Sequence, residues 1–215
     1  MVTPASSRST TPAATALAFE PIVDLATDEL VATSLLRDDP SRTLGDIIRC
    51  GTLERALGSP EMTAGARMAV RATAEDLKSS LTPRDLTDLV SAWGLAPRDF
   101  EVQISSSTEA VAPEILRSTD YLRTMGFGLT LLEFGRATGA LMWLRCIPFD
   151  RVEMDASFSQ NLGRSARDKL MCAAVVDLAH RLGASVDAAG LAAEAQVAFA
   201  RAVGVERGRG RYWSA

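Results

Sequence analysis

An α/β barrel is the fold the sequence predicts, and three features predict it. Short β-rich runs alternate with amphipathic helical stretches along the chain. The first two runs follow each other directly, as the arms of a hairpin turning at Thr27-Asp28. Six or seven strand–helix units then share roughly 200 residues, a density that suits a closed barrel better than the alternative, an open three-layer sheet. The expected strands are Phe19–Leu25, Leu30–Leu36, Met68–Ala72, Phe100–Ile104, Phe127–Leu132, Arg151–Asp155, Ser185–Ala188 and Arg209–Trp213. Helices are expected near 43–58, 74–80, 83–93, 109–125, 137–146, 165–182 and 192–203. Gly94, Gly126, Gly183 and Gly204 each follow an apolar-periodic run, at the left-handed position that ends many helices. After the hairpin, the strict alternation argues for parallel strands joined by helices.

Composition excludes several classes of protein. With 47% hydrophobic and 23% charged residues among 215, the chain is not a disordered one. No run approaches the roughly 18–20 apolar residues that span a bilayer. A net charge of −4 gives no general attraction to nucleic acid or to anionic lipid. Residues 1–16, rich in Ser, Thr, Pro and Ala, read as a disordered tail before a barrel domain over 17–215. They lack the apolar core of about 7–15 residues that a secretory signal needs. Cys50, Cys146 and Cys172 are an odd number without metal-ligand spacing, which fits a reducing cytoplasm.

Few residues suggest chemistry unaided. The single histidine, His180, lies near a helix end and reads as a solvated or helix-terminal side chain. Ser105-Ser106-Ser107 follows a strand, with Ser107 or Thr108 expected to cap the next helix. One histidine in that position cannot complete a Ser-His-Asp arrangement. Trp93, Trp143 and Trp213 fall in apolar runs, as core or interface residues do. Arg207, Arg209 and Arg211 alternate with glycines, so a strand would point all three to one face.

The segments FEPIVDL, TSLLR, LLEFG, VEMDASF, DAAG and GRGRYWS occur in the order of an EAL-domain cyclic-di-GMP phosphodiesterase, whose pieces read roughly QPIVDL, EALLR, DDFG, LKIDRSF, AEGVE and QGYxFS. The chain resembles that family from about Ala18 to its end. The resemblance implies a modified TIM-type (β/α)8 barrel of the EAL kind, with an antiparallel first strand. It also implies an active site where divalent metals generate the hydroxide that cleaves a phosphodiester. At the places the family gives to its first metal, three acids and an asparagine, this chain carries Thr33, Gln103, Leu132 and Arg71. Glu133 and Asp155 remain at the second, but the family's lysine is Glu153. The glutamates of AEGVE are Ala189 and Ala192, and the glutamine of QGY is Arg209.

The expectation is therefore a catalytically inactive EAL-like domain without metal or other cofactor, acting as a regulatory protein-interaction module in bacterial signalling. Its partner would be another protein or a second copy, with Arg136, Met142 and Trp143 as interface candidates in the loop 135–139 and the helix after it. The alternative is a metal-independent cyclic-di-GMP receptor using Leu35, Arg37, Phe134, Asp155, Arg209 and Arg211, with Glu20 at the QPI glutamine. A residual phosphodiesterase is the weakest reading. Without metals, Glu133, Glu153, Asp155 and Asp187 need cations, and Arg71, Arg207, Arg209 and Arg211 are expected to supply them.

Overall fold

One carboxylate makes the first reversal of the chain. Asp24 accepts the backbone N–H groups of Ala26 at 2.8 Å and Thr27 at 3.0 Å, and Asp28 completes the turn in the left-handed region at φ 58°. The turn joins β1 (Ala18–Asp24) to an antiparallel β2 (Leu30–Leu36). A computed structural model describes residues 17–36, 42–60, 66–106, 110–136, 139–161 and 165–213. The expected tail over 1–16, Arg37, Ser107 and Thr108 lie outside the described residues.

Beyond the hairpin, strands and helices alternate. The elements are α1 (Leu44–Arg49), α2 (Thr52–Leu57), β3 (Arg67–Ala72), α3 (Ala74–Lys78), α4 (Leu81–Ala92), β4 (Phe100–Ser105), α5 (Pro113–Met125), β5 (Gly128–Phe134) and α6 (Ala140–Cys146). They continue as β6 (Arg151–Met154), α7 (Ala156–Asn161), α8 (Ala166–Arg181), β7 (Ser185–Ala188), α9 (Glu194–Val203) and β8 (Arg207–Gly208). The strands pair in sequence order and close into a barrel. β1 runs antiparallel to both of its neighbours, β2 and β8, and every other pairing is parallel. Closure leaves no sheet edge to template aggregation. No described helix is long and apolar enough to cross a membrane.

Three elements depart from the sequence expectation for local reasons. The helix expected over 43–58 breaks into α1 and α2 because Gly51 takes φ +70° between them. α7 was not anticipated, since one and a half turns give too short a stretch for a helical period to show. β8 begins two residues before the expected Arg209 and ends at Gly208, because Gly210 at φ +144° turns the chain against the Leu191 backbone. Helix α5 starts at Pro113 after Ala112.

Helix starts are fastened by side chains. Thr43 and Thr73 each form a reciprocal capping box with Asp46 and Asp76. Asp76, 3% exposed, also accepts the Gly45 N–H at 3.1 Å, which ties α3 to α1. Strand residues such as Val70, Val102, Leu129, Leu131, Val152 and Val186 face outward and join the helices in one large apolar cluster. Inside the barrel the only described apolar cluster is small, formed by Ile22, Ala32 and Ala69 with Val31 packed against it. Most of the other described interior positions are polar, Leu132 being an exception.

Trp143, expected as an interface candidate, is 0% exposed and belongs to the outer apolar shell. The seven-residue helix α6 turns it toward β5, while Leu141 and Met142 face outward at 59% and 44% exposure. Trp143→Ala should cost about 3–5 kcal/mol in urea unfolding. A loss below about 1 kcal/mol would show that Trp143 is not packed in this way.

Candidate functional site

Two arginines two residues apart, on and just after the last strand, organise the barrel interior. Arg207 on β8 is 3% exposed; its Nη1 donates to Glu101 Oε2 at 2.9 Å and its Nη2 to Glu101 Oε1 at 3.0 Å. Its Nε donates to Asp187 Oδ1 at 2.9 Å, and Arg151 Nη1 reaches the same oxygen at 3.2 Å. Neutral groups complete the shell: Thr130 Oγ1 donates to Glu101 Oε1 at 2.7 Å, and Gln103 Nε2 to the same atom at 3.4 Å. Ser34 Oγ then donates to Gln103 Oε1 at 3.1 Å.

Arg209 repeats the arrangement two residues on. Its Nε and Nη2 each donate at 2.7 Å to the two oxygens of Glu153, a bidentate fork, and its Nη1 donates to Glu20 Oε2. Arg71 lies close enough to act on Glu153 electrostatically. The described interior thus sets four acids, Glu20, Glu101, Glu153 and Asp187, against four arginines, Arg71, Arg151, Arg207 and Arg209. That balance answers the penalty of taking charge out of water.

The pairing fixes protonation. Burial works against the Glu101 anion, but Arg207 chiefly, with help from Thr130, holds its carboxyl below the ordinary value. Burial pushes the Glu153 carboxyl up; Arg209 and then Arg71 pull against that rise, while Asp187 adds to it. Both Glu153 oxygens nonetheless accept from Arg209, a geometry that belongs to the ionised form. Burial opposes charge on both arginines, yet their carboxylates hold each protonated above the usual guanidinium value.

Arg209 also lines a cleft of about 370 Å³ at the end of the barrel where the parallel strands finish, together with Glu20, Leu36, Arg71, Ala72, Thr73 and Ser105. This is the end at which barrels of this class place their sites.

Several expected site residues stand elsewhere. β1–β2 pairing sets Glu20 opposite Ser34 and Ile22 opposite Ala32 on the interior face, so Thr33 and Leu35 face the helices. Leu35 sits in the outer apolar cluster, and the interior residue at that point is Ser34. Phe134 is likewise 7% exposed in that cluster, because a break in the β5–β6 register re-aims the end of β5. Glu133, at φ 56°, points away from the interior and pairs with Arg136 at 3.2 Å. Asp155 caps the following helix by accepting the Ser157 N–H at 2.9 Å. Arg211 is exposed in the turn after β8 and does not share a face with Arg207 and Arg209. Gln103 and Leu132 are interior and fully buried; Ala189 is buried at 9%. Among the described residues, no three His, Cys, Asp or Glu side chains form a metal-binding group.

Glu101 was not anticipated as a partner, nor was Glu20 as the acid on Arg209. The signal was present: FEVQI alternates polar and apolar residues, which marks one polar strand face. His180 instead bonds Glu206 at 2.8 Å, and Glu206 accepts the Val186 N–H at 2.7 Å, a fastening at the opposite end of the barrel.

The EAL domain family matches residues 46–215. An uncharacterised signalling protein of Caulobacter vibrioides is 30% identical over 138 residues, covering 63% of this chain and 17% of that protein. The cyclic di-GMP phosphodiesterase NbdA of Pseudomonas aeruginosa is 26% identical over 136 residues, covering 63% of this chain and 17% of the relative. The chain thus spans about a sixth of the length of either. Klebsiella pneumoniae BlrP1, solved with calcium and cyclic-di-GMP, superposes with a TM-score of 0.78 at 19% identity, over 90% of this chain and 53% of its own.

Arg207→Met would leave Glu101 buried without its cation and Asp187 with Arg151 alone, a loss of about 3–5 kcal/mol at pH 7. Stranded carboxylates have raised pKa values, so the variant regains stability as the pH falls and they take protons. The parent moves the opposite way: Glu101 lies below 4.5 when folded, so its contribution is present above that pH and is lost as the pH drops beneath it. Unfolding measured from pH 7 to 4 should show the two curves converging. Parallel curves would contradict the pairing.

Proposed function

The chain belongs to the EAL-domain family, a family of cyclic-di-GMP signalling proteins, and we propose that it is a catalytically inactive barrel that regulates by binding another protein. The observation that carries this reading is the guanidinium of Arg209 held between Glu153 and Glu20. A hard divalent cation needs several oxygen ligands, chiefly carboxylates, around an open centre. Here the interior carboxylates are already shared with arginines, and the neighbouring interior positions carry Ser34, Arg71, Gln103 and Leu132. These residues do not suit a magnesium or manganese site, and Arg71 and Arg209 would repel the ion. Without a metal-bound hydroxide, phosphodiester hydrolysis has no nucleophile of the family's kind. Glu133 and Asp155 do not replace it, since the first pairs with Arg136 and the second caps α7.

Binding to a protein is supported on the outer face. Leu141 and Met142 stand in water on α6 while Trp143 and Leu144 anchor that helix to the core. Large exposed side chains on a rigidly seated helix suit an interface. A second reading, a metal-independent receptor for cyclic-di-GMP, is favoured by the two arginines at the cleft.

Two assays test this. Incubation with cyclic-di-GMP and magnesium or manganese should release no linear product above buffer. Calorimetric titration with cyclic-di-GMP should give no heat in magnesium or in EDTA. Heat that survives EDTA would replace the interaction reading with the receptor reading. Turnover, or binding only with magnesium, would overturn inactivity.

A further inference from the structure

We infer that Glu20 is a built-in counter-anion that closes a phosphate-binding site at the barrel mouth. The cleft is at the small end of the roughly 300–1,000 Å³ range of ligand sites. Its walls bring together two guanidinium groups, Arg71 and Arg209, with Ser105, while the Thr73 hydroxyl at its edge is held by Asp76. Planar, permanently charged guanidinium donors beside hydroxyl groups are the chemistry that binds phosphate oxygens.

The acids at that cleft are not equivalent. Glu153 is 2% exposed and gripped through both oxygens, so it is part of the wall. Glu20 touches Arg209 through Nη1 alone, and its side chain is 23% exposed. It is the acid that can turn into solvent without leaving a buried charge behind. When it does, Arg209 Nη1 faces the cleft beside Arg71. An entering phosphate then takes the position of the Glu20 carboxylate. Glu20 and the ligand compete for one guanidinium edge, so the wild-type cleft is self-occupied and discriminates against weak anions.

This goes beyond the inactive reading of the barrel but shares its mouth; failure here would leave the hydrolysis assay untouched. The experiment is calorimetric titration with inorganic pyrophosphate in EDTA. Glu20→Gln should bind at least about tenfold more tightly than wild type, a change of about 1.4 kcal/mol. Glu20→Asp, which draws the carboxylate back by one methylene, should fall between them and carries the comparison if the Gln variant does not fold. Adding Arg71→Met to either variant should abolish the gain. Equal affinity in wild type and variants overturns the gate. A gain that survives Arg71→Met overturns the arginine site.

Discussion

Arg207 and Arg209 carry charge into the interior of a closed barrel, where an ion without a partner costs several kcal/mol. The strands facing them must therefore supply carboxylates at matching heights. Asp187 on β7 and Glu101 on β4 do so for Arg207; Glu153 on β6 and Glu20 on β1 do so for Arg209. The contacts join strands far apart in sequence, with separations of 106 residues for Arg207–Glu101 and 189 for Arg209–Glu20. Each ion pair thus acts as a cross-brace through the barrel, and losing one arginine strands the buried acid that it alone neutralises, as Glu101 for Arg207.

The reversed first strand is what makes the second brace available. Because β1 runs antiparallel to β2 and β8, Glu20 arrives at the end where Arg209 and Glu153 lie. That geometry also leaves Glu20 partly in water while Glu153 is sealed. The barrel's apolar work is done outside, between sheet and helices, which frees the interior for polar groups. A polar interior can hold a metal, a ligand or its own counter-ions, and this chain holds its own counter-ions.

Most of the strand order was legible because the parallel strands are short apolar runs bounded by helix-ending glycines such as Gly126 and Gly183. The last strand was displaced because glycine alternating with arginine carries no apolar pattern, and Gly210 turns the chain where alternation alone would continue it. Arginines pairing with Glu153 and Asp187 in the interior were foreseeable once no metal was expected, but Glu101 and Glu20 as further partners were not. Sequence also placed Asp155, Glu133 and Arg211 in that cluster; the structure turns Glu133 and Asp155 to local tasks and leaves Arg211 exposed in the turn after β8. Register explains the error on β2, where a single residue of offset exchanges Thr33 for Ser34 on the interior face.

A double-mutant cycle across Arg209 and Glu153 tests the internal pairing most directly. Arg209→Met and Glu153→Leu would be made singly and together, and unfolding free energies measured at pH 7. Each single change should cost about 3–5 kcal/mol, and the pair far less than their sum, because removing both leaves no uncompensated charge between them. Costs that add to within about 0.5 kcal/mol would mean that the two groups do not depend on each other, and the account of the interior would fail.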